Sequence, residues 1–170
     1  GRGGHGVGRS VCRMSFHHGP LPPTAQHVCV DMQRMFAEKT DWHLPWMDRV
    51  RPVVHAIAAR HPDRTIFTRF IPAAHPGDGS GTWRGYWRRW AAMTQERLQP
   101  GLIDLVPELA ALVPPARVVD KHRYGPWIGT TLPALLRARR AGAVIVTGGE
   151  TDVCVIATVL GAVDLGLRVV

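Results

Sequence analysis

Six residues, "AVIVTG" from Ala143 to Gly148, constrain this chain more than any other stretch. The run is rich in Val and Ile, lacks polar alternation and stops at Thr147-Gly148-Gly149, which is how a strand buried on both faces of a parallel sheet reads. "TDVCVIATVLGAVDLG" follows with its apolar positions at helical spacing, and Thr151 or Asp152 is the expected cap.

The same alternation of strand and helix recurs upstream. "HVCVD" reads as a strand, "LPWMDRVRPVVHAIAARH" as a helix with Pro45 near its start, and "RTIFTRF" as a second strand. "IPAAHPGDGSGTWRGYWRRWAAMTQERLQPG" opens with turn residues, becomes aromatic and helical, and reads as a long active-site loop. Next come "LIDLVPELAALV" as a short helix interrupted by Pro107, "ARVVDK" as a strand, "TTLPALLRARRAG" as a helix, and "LRVV" as the start of a last strand. The pattern predicts an α/β protein with a three-layer, doubly wound, mostly parallel sheet, whose ligand site lies beyond the carboxyl ends of the strands.

At 170 residues with 45% hydrophobic content, one domain is expected. Residues 1–25, rich in Gly, Pro, His and Arg without periodicity, read as a flexible leader, and residues 26–170 as the domain. No run approaches the roughly 18 apolar residues of a membrane span and the N-terminal segment has no signal-peptide core, so a cytoplasmic protein without membrane partners is expected. The three cysteines are widely spaced, which argues against a disulfide framework; Cys29 in "HVCVDM" reads as core and Cys12 as incidental.

A net charge of +8 raises the question of nucleic acid. The arginines are scattered, however, and a solvated basic surface with no nucleic-acid partner is the expectation. "WRGYWRRW" interleaves aromatics with arginines in a way that suits base stacking, which keeps a nucleic-acid binder as a minority reading.

Three reactive side chains fall at strand ends: Asp31 after "HVCV", Lys121 after "ARVVD", and Cys154 after "AVIVTG". Singly, each has a plainer reading: a turn former, a surface charge paired with Asp120, and a small core residue. Together on one rim they can support amide or ester cleavage by a covalent route. Asp31 takes the thiol proton, Lys121 holds the thiolate and orients the aspartate, and Cys154 attacks a carbonyl carbon. A thiol in the first turn of a helix is expected to be activated by the unpaired N–H groups there.

"VCVDMQRMF", "VVDKHRYGPWIGTTLPALLR" and "VIVTGGETDVCVIATVLGAVDLGLRVV" together resemble the isochorismatase-like cysteine hydrolases, which include nicotinamidases, N-carbamoylsarcosine amidohydrolases and ureidoacrylate-type amidohydrolases. The resemblance runs from about His27 to the end of the chain. It implies Asp31, Lys121 and Cys154 as catalytic residues and a cis peptide bond at Gly149–Glu150. It also implies an oxyanion hole from the backbone N–H groups of Glu150 and Cys154, with Phe36 and Trp127 lining the substrate pocket. Gly149 stands where an apolar residue is more usual. Nicotinamidases carry an Asp-x-His…His metal site, whereas "FTRFIPAAHPGDG" leaves His75 alone, so no metal and no cofactor are expected and nicotinamide is disfavoured. Isochorismatases proper lack the cysteine, so Cys154 argues against that activity. The look-alikes imply a homo-oligomer, and they continue beyond "GLRVV" with a finished strand, a further strand and a helix, so the chain reads as truncated at its C-terminus.

The expected function is metal-independent cleavage of a C–N bond in a small amide, ureido or carbamoyl compound. "TWRGYWRRW" adds a hint of a flat or anionic substrate. The alternative is a non-catalytic, oligomeric binding or scaffold protein of the same fold.

Overall fold

The structure is a computed structural model that describes residues 17–170; Cys12 and most of the expected leader lie outside the described residues. Its centre is a sheet of five parallel strands, β1 (Gln26–Val30), β2 (Thr65–Phe70), β3 (Arg117–Lys121), β4 (Ala143–Gly148) and β5 (Arg168–Val169), in the order β3-β2-β1-β4-β5. The chain winds outward from β1 through β2 to β3, then crosses back to place β4 on the other side of β1. The order therefore reverses between β1 and β4, which opens a crevice at their carboxyl ends.

Helices α1 (Arg34–Ala37), α2 (Met47–Arg60), α3 (Thr82–Arg89), α4 (Pro107–Ala110), α5 (Leu132–Ala138) and α6 (Ile156–Asp164) complete the three layers. Side-chain alternation along the strands sorts the core into two halves. Cys29 and Phe67 face the layer with Met47, Val54 and Ala58 of α2 and Leu109 of α4. Val28, Val30, Ile66 and Val144 face Leu132 and Leu136 of α5 and Ala162 of α6. A third, mainly aromatic cluster around Phe70 and Trp87 caps the carboxyl end of the sheet.

Two local expectations are corrected. Pro107 does not interrupt a helix but opens α4, because a residue with no N–H costs nothing in the first turn, where that donor has no intrahelical acceptor. The helix expected from Thr151 begins instead with a π-helical turn, Thr151–Val155, and its cap is Glu150, without a side-chain cap bond from Thr151 or Asp152.

Residues ahead of β1 are held against the body. The Arg168 guanidinium donates to the carbonyls of His18, Gly19 and Pro20 at 2.7–3.0 Å, and Arg64 donates to the carbonyl of Pro23.

Candidate active site

Asp31 leaves β1 with φ +52, the left-handed region, which turns its side chain across the sheet rim. Its backbone N–H donates to the Thr68 carbonyl and hydroxyl oxygens, each at 3.2 Å, and the Thr68 hydroxyl donates to Oδ1 at 2.6 Å. Lys121, the last residue of β3, reaches past β2 to place Nζ 2.6 Å from Asp31 Oδ2. The ammonium also donates to the Arg123 carbonyl at 3.1 Å and to Cys154 Sγ at 3.4 Å, and lies 5.0 Å above the centre of the Phe70 ring. Asp31 and Lys121 are fully buried and Cys154 is 7% exposed. The three expected catalytic side chains thus meet at one point, although they come from the ends of β1, β3 and β4.

The turn after β4 carries the cysteine into this position. The Gly149–Glu150 peptide bond is cis, and the Glu150 carbonyl accepts from the amides on either side of Cys154, Val153 at 3.2 Å and Val155 at 3.0 Å. Glycine is required at Gly148 and fits the space left beside a side chain at Gly149. Gly148 has φ +110 and a Cβ there would lie 2.1 Å from the Val30 carbonyl oxygen, while a Cβ on Gly149 would lie 2.8 Å from the Trp46 ring. Trp46 thus accounts for glycine where an apolar residue is more usual.

The thiol is not the activated thiolate that its place in the chain implies. Burial is the largest effect and Asp31 adds to it, together pushing the Cys154 pKa up to about 12 against the opposing pull of Lys121. Cys29 is core as expected, fully buried, and likewise pushed up to about 12 by desolvation.

A cavity of about 410 Å³ opens onto Cys154. Its walls are aromatic: Phe36, Trp42, Phe70, Tyr86, Trp90 and Tyr124, with Asp41, His43 and Glu150 among the polar groups. Trp42 is the hub, with its ring centre about 6 Å from those of Phe36, Phe70, Tyr86 and Trp90. Phe36 is therefore at the pocket wall as expected.

Trp127 is not. Its indole lies against Gly161 of α6, donates Nε1–H to the Thr158 carbonyl at 3.1 Å and packs with the Val28–Leu132–Leu136 half of the core. Aromatic character alone does not say which way a ring faces. The residues missed in the sequence were Thr68, which orients Asp31, and Trp42, Tyr86, Trp90 and Tyr124 on the wall. A threonine inside the buried run "TIFTRF" was the available signal for the first.

Helical period splits "WRGYWRRW" cleanly. Trp83, Tyr86, Trp87 and Trp90 turn inward, whereas Arg84, Arg88 and Arg89 are exposed on the outer face. The rings are engaged with one another, not free to stack on bases, and these arginines do not line the pocket, which removes the basis for an anionic substrate. His75, the lone histidine of the departing metal motif, hydrogen-bonds Glu96 through Nδ1 at 2.7 Å. Among the described residues no group of three or more His, Cys, Asp or Glu side chains fits a metal ion, and none of the helices is long and apolar enough to cross a membrane.

The isochorismatase domain family model matches residues 25–170. Solved structures of like topology include a cysteine hydrolase from Pseudomonas syringae pv. phaseolicola 1448A, 26% identical over 88% of this chain and 71% of that one, with a TM-score of 0.72. An N-carbamoylsarcosine amidase from Thermoplasma acidophilum is 23% identical over 85% of this chain and 79% of its own, with a TM-score of 0.64. A nicotinamidase from Staphylococcus aureus is 21% identical over 86% and 79%, with a TM-score of 0.61. Among curated proteins none matches the sequence.

Proposed function

Since the chain belongs to the isochorismatase family and is a hydrolase, we propose that it cleaves a C–N bond of a small amide, ureido or carbamoyl compound through a covalent acyl-enzyme on Cys154. The observation that carries this reading is the buried contact of Asp31 and Lys121 with Cys154, whose thiol opens onto an aromatic pocket.

In this mechanism the resting thiol is protonated. When the substrate carbonyl sits over Sγ, Asp31 Oδ2 accepts the thiol proton and the sulfur attacks the carbonyl carbon. Lys121, already within 3.4 Å of Sγ, stabilises the charge that appears as the proton leaves. The carbonyl oxygen becomes an oxyanion held by the backbone N–H groups of Glu150 and Cys154. Asp31 then passes its proton to the departing nitrogen, the C–N bond breaks, and ammonia or an amine leaves a thioester on Cys154. Water, losing a proton to Asp31, attacks the thioester and returns the thiol with release of the carboxylic or carbamic acid. Lys121, 2.6 Å from Asp31 Oδ2, holds the carboxylate in place between steps.

The test is intact-mass analysis after mixing the protein with a panel of small amides and ureides and quenching in acid. The expected result is a mass increase equal to the acyl group, located on the peptide containing Cys154. In Cys154→Ala the adduct is absent and ammonia release falls by roughly 10⁴-fold or more, with the unfolding temperature nearly unchanged. Turnover by Cys154→Ala within a few-fold of the parent would refute the mechanism.

A further inference from the structure

We propose that the pocket selects amides bearing a positive charge and rejects those bearing a carboxylate; the reaction itself rests on the reading above. The chain has 21 Lys and Arg against 13 Asp and Glu, yet neither Lys nor Arg lines the cavity. Its two charged wall residues are Asp41 and Glu150, both exposed at the mouth. Neither is in an ion pair among the described residues, a state they share with Asp63, Asp78, Asp152 and Asp164, but of these six only Asp41 and Glu150 line the cavity. Two uncompensated carboxylates at the mouth of the catalytic cavity, on a strongly basic protein, set a negative local field.

The walls act in the same sense. Six aromatic rings make up most of the wall, with Phe70 already covered by Trp87 and Lys121, and rings of this kind attract cations over their faces, above all where solvent is displaced. The molecule already uses this cluster in that way from outside and below, with Arg123 4.8 Å from the centre of the Trp83 ring, Arg89 5.5 Å from that of Trp90, and Lys121 5.0 Å from that of Phe70. The Lys121 charge beneath the pocket is matched by Asp31 at 2.6 Å, so it does not offset the field at the mouth. His43 is the one basic group on the wall, and it sits beside Trp42 and Asp41. A carboxylate-bearing substrate such as an N-carbamoyl amino acid meets no fixed cation on the wall, only two like charges and a desolvating aromatic lining.

The test uses benzamide and its meta-trimethylammonium and meta-carboxylate derivatives at pH 8, above the imidazole range. Two readouts are taken: kcat/KM for ammonia release by the parent, and Kd for the same three compounds by calorimetry on Cys154→Ala. The cationic amide is expected to exceed the neutral one by about tenfold in both, and the carboxylate to fall about tenfold below it. The Asp41→Asn, Glu150→Gln double variant should bring the cation-to-neutral ratio close to one, and raising salt from about 0.05 to 0.5 M should compress it in the parent. The proposal is overturned if the carboxylate is preferred, if the ratio is unchanged in the double variant, or if none of the three binds. Binding in the expected order without turnover would instead refute the amidase reading and leave the charge selection standing.

Discussion

The floor and the walls of the pocket are built in opposite ways. The floor is three polar side chains held almost without solvent by strand ends, with Thr68 and the Arg123 carbonyl fixing Asp31 and Lys121. The walls are aromatic rings, most of them from the stretches 36–44 and 86–90 and from Tyr124, with Phe70 at the end of β2, packed on one another with the mouth acids at their edge. Chemistry that needs sub-ångström placement is supplied by the rigid sheet, while selection among substrates is left to side chains on connecting segments, where exchange does not disturb the strands. Changes to Asp31, Lys121 or Thr68 should therefore strike rate and stability together, loss of the Cys154 thiol should strike rate alone, and changes to the walls should strike substrate preference.

The largest expected effect comes from Lys121→Met. It leaves the Asp31 carboxylate buried without a counter-charge, and loss of about 3–5 kcal/mol in denaturant unfolding is expected, with ammonia release falling by roughly 10³-fold. Asp31→Asn with Lys121→Met should recover part of that stability but none of the activity, a coupling measured by a double-mutant cycle. If Lys121→Met proved as stable as the parent, the floor would not be the rigid unit described.

The thiol provides the next. With its pKa pushed up to about 12, Cys154 should react with iodoacetamide at pH 8 about 100-fold more slowly than a free thiol, at a rate still climbing between pH 7 and 9. Burial of the neutral form also fixes the sign of the stability effect. The unfolded thiol loses its proton near pH 9 and the folded one near 12, so this contribution to stability is complete below pH 9 and is lost as pH rises through that window. An alkylation rate that levels off near pH 6–7 would show a thiolate at rest.

Thr68→Val removes the 2.6 Å hydrogen bond to Asp31 Oδ1 at nearly constant volume, and a loss of about 1–3 kcal/mol in stability with about tenfold in kcat is expected. The smallest effect is assigned to the wall. Trp90→Leu should change KM a few-fold and reorder a substrate panel while leaving kcat for the best substrate within about threefold, because the side chain touches substrate but not the reacting atoms. A Trp90→Leu enzyme that lost kcat with KM unchanged would erase the distinction between floor and wall.

That distinction also explains what could be read in the chain. Asp31, Lys121 and Cys154 were legible because each stands at the end of a short apolar run, and parallel-sheet topology sends all such ends to one rim. "AVIVTG" is β4 to the residue, and "RTIFTRF" exceeds β2 by one. The walls were less legible: Phe36 and Trp127 carried the same kind of signal, yet one ring lines the pocket and the other packs under α6. Orientation of a ring on an irregular segment depends on tertiary neighbours, which periodicity does not encode. The pKa of Cys154 was misread for a related reason. The helix start is local and visible in sequence, but the enclosure that dominates the thiol is assembled from β1, β3 and the α5–α6 half of the core.

The ion pair on the floor also bears on how the domain assembles. Asp31 and Lys121 are both fully buried, and they belong to strands that are not neighbours, with β2 between them. An assembly containing only β1 and β2 would already hold the Asp31–Thr68 contact, which spans 37 residues, but would carry a dehydrating carboxylate with no cation to meet it. Arrival of β3 supplies that cation along with its strand pairing, so the third strand gains more than its own hydrogen bonds and partial sheets are penalised. The residues that serve the reaction thereby make folding of the sheet more nearly all-or-none.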